Sequence, residues 1–404
     1  MKNHAHVISQ IRWGLPSVIA CAIGCSGALS GGCSGQAVDG AGASTSNSFG
    51  AGIHEGISAR GTTISVGYQY ACAVKKGGSL WCWGNNSAGQ LGNGTTTGSS
   101  VPVAVLGISN IATVSAGYGV TCTVIRDGSL WCWGDDSNYQ LGNKTTVISS
   151  APIFMPGMTN VANVSVGDMQ TCAVKQDESL WCMGRDSGSD EGPIDSVPAA
   201  VAGMSNVAAA SAGTYHTCAV KQDGSLWCWG NNGNGELGIG TTTSASVPVA
   251  VPGMSNVADV AIGVSSTCAV KQDGSLWCWG NNGNGELGIG TTTNASVPAA
   301  VAGMSNVVAV SVGYQHTCAV KKDASLWCWG SNTYGELGNG TTMDSSIPVR
   351  VSSMSNVAAV SIGVFSTCAI NLDESVWCWG ANDAGQLGNG GTANSAVPVR
   401  VVGF

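Results

Sequence analysis

The chain has 404 residues, of which 60 are Gly and only 9% are charged, and its formal net charge is -8. An acidic chain with so few charges has no electrostatic basis for binding nucleic acid, so that class of partner is excluded. Most of its 17 cysteines recur in regular pairs, which is typical of an oxidising compartment outside the cytoplasm.

The N-terminus has the features of an export signal. Lys2 and Arg12 precede a short apolar run from Trp13 to Gly24, which is too short to span a bilayer. The run resembles a bacterial lipoprotein signal in which Cys25 receives the lipid. Cys21 and Cys33 are rival lipidation sites, and a plain cleaved signal peptide is the alternative.

We therefore assign residues 1–24 to a signal peptide and residues 25–61 to a flexible tether rich in Gly, Ala and Ser. The folded body is predicted to comprise residues 62–404. The expected location is extracytoplasmic, either secreted or membrane-anchored, with a lipid as the only contact with the membrane.

A repeat of about 50 residues occupies this body. Each of seven copies contains two cysteines separated by nine residues, and the copies start 50 residues apart except for the third, which is 46 residues long. The pairs are Cys72 with Cys82, Cys122 with Cys132, Cys172 with Cys182, Cys218 with Cys228, Cys268 with Cys278, Cys318 with Cys328, and Cys368 with Cys378. A fixed period of this length indicates an array or a closed propeller.

The sixth copy shows how one repeat is organised. Short Val-rich or aromatic runs, separated by Gly, Asn, Ser and Pro, predict strands at Val307 to Val312, Thr317 to Val320, Ser325 to Trp329 and Pro348 to Val351. No segment has a helical face of useful length. Four antiparallel strands in each of seven units predict an all-β, seven-bladed β-propeller.

The central hairpin places each cysteine pair face to face. A three-residue loop at 322–324 places Cys318 and Cys328 directly opposite each other. The last loop position needs a left-handed backbone, and it is Gly in four copies. A non-hydrogen-bonded pair brings facing Cα atoms close enough for a disulfide. Seven disulfides are therefore predicted, with buried free thiols as the alternative. Zinc is disfavoured because the short Cys-x2-4-Cys spacing is missing.

The third strand carries a Trp-Cys-Trp pattern. Trp327 and Trp329 point to one face and Cys328 to the other. Because both faces are apolar, each blade must lie between two neighbours, and the tryptophans are interpreted as core between blades.

Several of these motifs resemble the regulator of chromosome condensation repeat family. They are Gly313-Tyr-Gln-His316-Thr317, Asp273-Gly274, Trp229-Gly230 and Gly335-Glu-Leu-Gly338, with similar residues in other copies. The resemblance covers about residues 62–404 and implies a seven-bladed propeller. Because the body starts with a first-type strand at Thr63 to Val66 and stops after a fourth-type strand at Val397 to Val401, the two ends are expected to meet at one seam and to share a blade. Because this family serves as a binding scaffold in several unrelated roles, the resemblance implies binding without naming a ligand.

The loops that differ among copies are the candidate binding surface. Strand direction places the first-to-second and third-to-fourth strand loops at one end of the propeller, which we call the variable-loop face. An exposed arc of aromatic, His and Met side chains is expected there: Tyr68, Tyr70, Tyr118, Met169, Tyr215, His216, Tyr314, His316 and Phe365. His216 and His316 also occupy a repeated position, where a structural hydrogen bond is the alternative.

The remaining features do not indicate chemistry. The third copy has an acidic loop with Asp186, Asp190, Glu191 and Asp195, which lacks the spacing of a calcium loop and is interpreted as solvated. Neither a nucleophile elbow nor a metal triad is found, and no catalytic residue, metal or cofactor is assigned. The leading hypothesis is a scaffold that binds a protein or a cell-surface polymer. The alternatives are an extracellular propeller lyase or hydrolase, and a structural surface protein.

Overall fold

The computed structural model describes residues 63–185 and 194–404, and this part of the chain consists of strands, turns and loops. The predicted signal peptide, tether and lipidated Cys25, together with Thr62, lie outside the described residues. None of the described residues forms a helix that could cross a membrane.

The described residues form 28 strands arranged as seven four-stranded antiparallel sheets. Each sheet is a blade of four consecutive strands, which confirms the predicted all-β, seven-bladed propeller. Blades 1 to 3 contain β1 Thr63–Val66, β2 Tyr70–Lys75, β3 Ser79–Gly84 and β4 Ser99–Ala104; β5 Ile111–Ala116, β6 Val120–Ile125, β7 Leu130–Gly134 and β8 Ser149–Phe154; and β9 Val161–Val166, β10 Gln170–Lys175, β11 Leu180–Arg185 and β12 Ile194–Ala200.

Blades 4 to 7 repeat the same order. They contain β13 Val207–Ala212, β14 His216–Lys221, β15 Leu226–Gly230 and β16 Ala245–Ala250; β17 Val257–Ile262, β18 Ser266–Lys271, β19 Leu276–Gly280 and β20 Ala295–Ala300; β21 Val307–Val312, β22 His316–Lys321, β23 Leu326–Gly330 and β24 Ser345–Arg350; and β25 Val357–Ile362, β26 Ser366–Asn371, β27 Val376–Gly380 and β28 Ser395–Arg400. In blade 6 the first strand matches its prediction, whereas the fourth begins three residues earlier because Ser345 pairs with Gly330 beyond a bulge.

The hairpin predictions are confirmed, because every predicted cysteine pair forms a disulfide between the second and third strands of its blade. The Cα–Cα distances are 4.0 to 4.1 Å, as expected of directly opposed, non-hydrogen-bonded residues. The bonded pairs are Cys72 with Cys82, Cys122 with Cys132, Cys172 with Cys182, Cys218 with Cys228, Cys268 with Cys278, Cys318 with Cys328, and Cys368 with Cys378. The alternative of buried free thiols is therefore wrong.

The turn of each hairpin keeps its predicted backbone as well. The third loop position is left-handed even where it is not Gly: φ is 60° at Ala324, 65° at Glu178 and 70° at Glu374. The geometry of the hairpin thus decides the backbone at this position, and Gly is the residue that adopts it most easily.

The hydrophobic core lies between blades. In the cluster between blades 4 and 5, the Cys218–Cys228 disulfide packs with Val260, Ile262 and the buried Trp279 of the next blade, while Trp277 is half-buried at the margin. The tryptophans are therefore core between blades, as predicted. Burying both faces of each sheet is the main source of stability in this fold.

The inner strands β1, β5, β9, β13, β17, β21 and β25 surround the axis of the propeller. A glycine follows each inner strand, and in six of the seven blades a Cβ on it would overlap or tightly contact the glycine carbonyl oxygen of the next blade. The glycines in this arrangement are Gly117, Gly167, Gly213, Gly263, Gly313 and Gly363, with Gly67 accepting the last contact. We call this set the axial glycine ring.

The prediction that the chain ends share a blade is wrong, because blades 1 and 7 are each complete. The ring closes through contacts between them instead. The Val66 amide donates to Ser361 Oγ at 3.0 Å, and Trp83 Nε1 donates to the Gln386 carbonyl at 2.9 Å. Phe404 lies 5.7 Å from the Trp83 ring and fills the place that Met354 occupies between blades 6 and 7.

Candidate functional site: the variable-loop face

Backbone hydrogen bonds fix the loops of the variable-loop face to one another. In blade 1 the Asn85 amide, at the start of the third-to-fourth strand loop, donates to the Gln69 carbonyl in the first loop at 2.8 Å. Asn86 then holds the long loop from within, because its Nδ2 donates to the carbonyls of Thr95 and Thr97. A rigid frame therefore presents the few side chains that differ among blades.

The nine predicted binding residues divide into two groups. Tyr68, Tyr118, Tyr215, Tyr314 and Phe365 are half-buried and reach the surface, whereas Tyr70, Met169, His216 and His316 are buried. The expectation that all nine side chains are exposed is therefore wrong for the four buried residues. Their side chains lie under the face and can support it, but as they stand they cannot contact a macromolecule.

The buried histidines form hydrogen bonds between blades. His216 Nε2 lies 2.7 Å from Thr267 Oγ1, and that hydroxyl donates its one proton to the Glu236 carbonyl at 2.8 Å. Nε2 must therefore carry the proton that the histidine donates. His316 repeats the contact with Thr367 at 3.0 Å. Burial lowers the pKa of both imidazoles to about 3, so both are neutral in ordinary buffers.

Tyr70 occupies the same position in blade 1. Its hydroxyl donates to the Val120 carbonyl at 2.6 Å, and burial raises the pKa of Tyr70 above its usual range. The three residues thus perform one structural task in different blades, which supports the structural alternative for the histidines.

The half-buried aromatics form two clusters. In the first, over blades 1 and 2, the Tyr68 and Tyr118 rings stack with centroids 4.4 Å apart and an angle of 9° between their planes. In the second, over blades 6 and 7, Phe365 is edge-on to Tyr314 at 6.0 Å and to Tyr334 at 5.3 Å. We call these the stacked pair and the edge-on cluster.

Sequence reasoning missed Tyr334, which is 40% exposed. It lies in the third-to-fourth strand loop, where the equivalent residues are Ala88, Asn138, Asn234, Asn284 and Ala384. The signal for Tyr334 is the same as in the first loop: it differs from the residues at its position in the other copies.

A buried carboxylate lies beside the edge-on cluster. Glu286 is 2% exposed, and its Oε2 accepts the Asn284 amide at 2.8 Å. Burial raises the pKa of Glu286 to about 7. The pKa of Tyr314 is also raised, mainly by partial burial. The nearby Glu286 carboxylate and then the Tyr215 hydroxyl raise it further.

Charge is segregated between the two ends of the propeller. Of the twelve Lys and Arg residues in the described part of the chain, only Lys144 and Arg185 lie at the variable-loop face. The other ten lie at the opposite end, by the hairpins: Lys75, Lys76, Arg126, Lys175, Lys221, Lys271, Lys321, Lys322, Arg350 and Arg400.

Acidic residues outnumber these two cations at the variable-loop face. They are Asp135, Asp136, Asp168, Asp195, Glu236, Glu286, Glu336, Asp344 and Asp383. The hairpin end, by contrast, mixes its cations with acidic residues such as Asp127, Asp177, Asp223 and Asp273. The variable-loop face is therefore acidic and aromatic, a property that the overall charge does not reveal.

The described residues offer no metal centre at this face. Within residues 63–185 and 194–404, no three His, Cys, Asp or Glu side chains are grouped so that they could hold a metal ion. In the predicted acidic loop, Asp186, Asp190 and Glu191 lie outside the described residues, and Asp195 is exposed on β12.

Solved structures with the same fold include two of yeast RCC1 and one of a human protein. Yeast RCC1 (Prp20) bound to Kap60 is 20% identical, with a TM-score of 0.72 and coverage of 80% of this chain and 83% of that chain. Prp20p of Saccharomyces cerevisiae, described with its binding properties to Gsp1p and histones, is 20% identical, with a TM-score of 0.74 and coverage of 86% of this chain and 88% of that chain. Human WBSCR16 is 21% identical, with a TM-score of 0.72 and coverage of 80% of this chain and 94% of that chain.

Family models match almost the entire body. The RCC1-like domain model matches residues 30–364, and models of the regulator of chromosome condensation repeat match residues 357–386 and 373–404. Because the RCC1-like domain model matches more than half of the chain, the chain belongs to the RCC1-like domain family.

Proposed function

We propose that this protein is an exported binding scaffold, anchored by a lipid at Cys25, that captures a protein through its variable-loop face. The observation that carries the proposal is the pair of aromatic clusters at one end of a rigid frame. Tyr and Phe supply large contact areas and lose little conformational entropy on binding, as in other binding surfaces.

Two further observations support the proposal. Seven disulfides favour an oxidising compartment, which agrees with an export signal at residues 1–24. The yeast relative binds proteins, namely Kap60, Gsp1p and histones, which favours a protein over a cell-surface polymer as the ligand. The matching family models are RCC1 models, so a lyase or hydrolase has no support from them.

Capture from envelope and secreted extracts tests the binding face. The bait is the full chain, beside a variant with Tyr68, Tyr118, Tyr314 and Phe365 changed to alanine. We expect a protein retained by the parent chain to be lost by the variant, because truncating anchor residues typically costs at least about 2 kcal/mol each. Mass spectrometry of the retained proteins, after crosslinking, measures the result.

A matched variant controls for loss of exposed apolar surface. Val247, Val297, Ile347 and Val397 lie on the outer strands with 63%, 54%, 56% and 48% of their surface exposed. Changing them to threonine should leave capture intact. Equal capture by all three proteins would refute the assignment of the face, and capture by none would favour a structural surface protein.

The lipid anchor predicts a change in location. Cys25→Ser should move the protein from the membrane fraction to the soluble fraction, because a serine cannot form the thioether, and should abolish labelling by a radioactive fatty acid. Cys21→Ser and Cys33→Ser serve as controls at the rival sites. Labelling that survives in Cys25→Ser would show that Cys25 is not the anchor.

A further inference from the structure

The edge-on cluster lies over blades 6 and 7, next to blade 5. That blade has the small residues Val264 and Ser265 in its first loop, whereas blades 4 and 6 on either side have Tyr215 and Tyr314. The Glu286 carbonyl accepts a hydrogen bond from Thr317 Oγ1 of blade 6 at 2.8 Å, so Glu286 lies against the blade that carries Tyr314. Glu286 is therefore a buried carboxylate at the boundary between blade 5 and the blade of Tyr314.

The two aromatic clusters differ in which part of each ring they leave accessible. In the stacked pair, each ring covers one face of the other, at 4.4 Å and 9°. In the edge-on cluster, the planes of Tyr314 and Phe365 make an angle of 80°, and those of Tyr334 and Phe365 an angle of 61°. In an edge-on contact the ring that presents its edge keeps both of its faces out of that contact, and the face is the negative part of the ring that attracts a cation.

The charge of the variable-loop face acts in the same direction. Asp344 and Asp383 are exposed in loops of blades 6 and 7, and the buried Glu336 carboxylate accepts the amide of Tyr334, a member of the edge-on cluster, at 2.8 Å. Lys144 and Arg185, the two cations of this face among the described residues, are on blades 2 and 3. The region over blades 5 to 7 is therefore an acidic surface that carries edge-on aromatic rings.

We propose that the edge-on cluster binds a lysine or arginine side chain of a basic segment in the captured protein, with Glu286 as its counter-ion. This inference rests on the proposed function and adds the chemistry of the partner. Cation–π contact is strongest where the cation is partly desolvated, and a carboxylate beside the rings adds charge complementarity. The surrounding acidic residues would speed the encounter with such a segment.

A labelled lysine-rich peptide, and the same peptide with every lysine acetylated, test this inference by fluorescence anisotropy at about 0.15 M salt. We expect the full chain to bind the first peptide and to bind the acetylated one at least about tenfold more weakly. The pair Tyr314→Ala and Phe365→Ala should weaken binding of the lysine peptide by about tenfold. Val247→Thr and Val297→Thr, on the outer strands β16 and β20, should leave it unchanged.

Glu286→Gln separates binding from folding. Gln90, Gln140 and Gln386 hold this position in other blades, and the Oε1 of Gln90 accepts the Ala88 amide at 2.9 Å, as the Glu286 carboxylate accepts that of Asn284. The variant should bind the lysine peptide several-fold more weakly. It should nevertheless unfold at a higher temperature than the parent chain at about pH 8, because a buried charge is removed. Opposite changes in binding and stability cannot result from misfolding.

Two results would overturn the inference: equal binding of the acetylated peptide, and undiminished binding by the Tyr314 and Phe365 variant. If a protein is captured through the aromatic clusters but the lysine peptide does not bind, the scaffold function stands and the cationic partner is wrong. If the lysine peptide binds as expected but capture does not depend on the clusters, the cation site stands and the scaffold function is wrong.

Discussion

Gly263→Ala is expected to lower the free energy of unfolding by at least about 2 kcal/mol, the cost of forcing extra atoms into a packed interior. The new Cβ would overlap the Gly313 carbonyl oxygen of the next blade and lie 2.9 Å from Val312 Cγ1. Both neighbours belong to the inner part of blade 6, so relief requires blades 5 and 6 to separate at the axis. The change would then disturb a closed ring in which every blade contacts two others.

Urea denaturation followed by tryptophan fluorescence measures this loss. Gly283→Ala is the matched control, because Gly283 is exposed and the nearest atom to its Cβ would be Asn281 Oδ1 at 3.6 Å. We expect the control to change stability by no more than about 1 kcal/mol. Similar losses in the two variants would show that the axial glycine ring does not limit the approach of the blades.

Much of the fold follows from the period of the sequence. The repeated Gly, the paired cysteines and the Trp-Cys-Trp pattern predicted four strands per blade, the left-handed residue at Gly274 and its equivalents, and the disulfides. These features depend on contacts within one hairpin or on the alternation of side chains along one strand. The closure of the ring was predicted wrongly because it depends on Phe404 and Trp83, which are distant in sequence.

The burial of Tyr70, His216 and His316 follows from the alternation of side chains along a strand, whereas Met169 lies in the loop before its strand and is outside this rule. His216 and His316 are the first residues of their strands, two positions before Cys218 and Cys318. Residues i and i+2 share a face, and the cysteine faces the neighbouring blade. The same argument places Tyr70 in the interior. Charge segregation follows from the direction of the strands, which assigns each loop and its charged residues to one end of the propeller.

The buried histidines are expected to make the protein sensitive to acid. Their pKa is about 3 in the folded protein and 6.5 ordinarily. Between those values the unfolded chain binds protons that the folded chain does not, so the free energy of unfolding falls as the pH falls. The contribution is fully present above about pH 6.5 and is lost toward pH 3, at about 1.4 kcal/mol per pH unit for each histidine.

Buried carboxyl groups act in the opposite direction over part of this range. Burial raises the pKa of Asp259, Glu286 and Glu336 to about 7. Between their ordinary values and about 7, the folded chain binds the extra protons, so these groups stabilise the protein as the pH falls. The histidine effect must therefore be measured as a difference between two proteins at each pH.

His216→Gln combined with His316→Gln provides that difference. Glutamine holds the equivalent position in blade 3, where Gln170 Oε1 accepts a hydrogen bond from Thr217 Oγ1 at 3.0 Å, so the contact with the next blade can be kept without a titrating group. Urea denaturation should show the variant gaining on the parent chain by about 2 to 3 kcal/mol for each pH unit below about 6. If the free energy of unfolding changed with pH in the same way for both proteins, the histidines would gain protons in the folded state. For His216 that requires water or an acceptor to reach Nδ1, which is a buried atom without a hydrogen-bond partner.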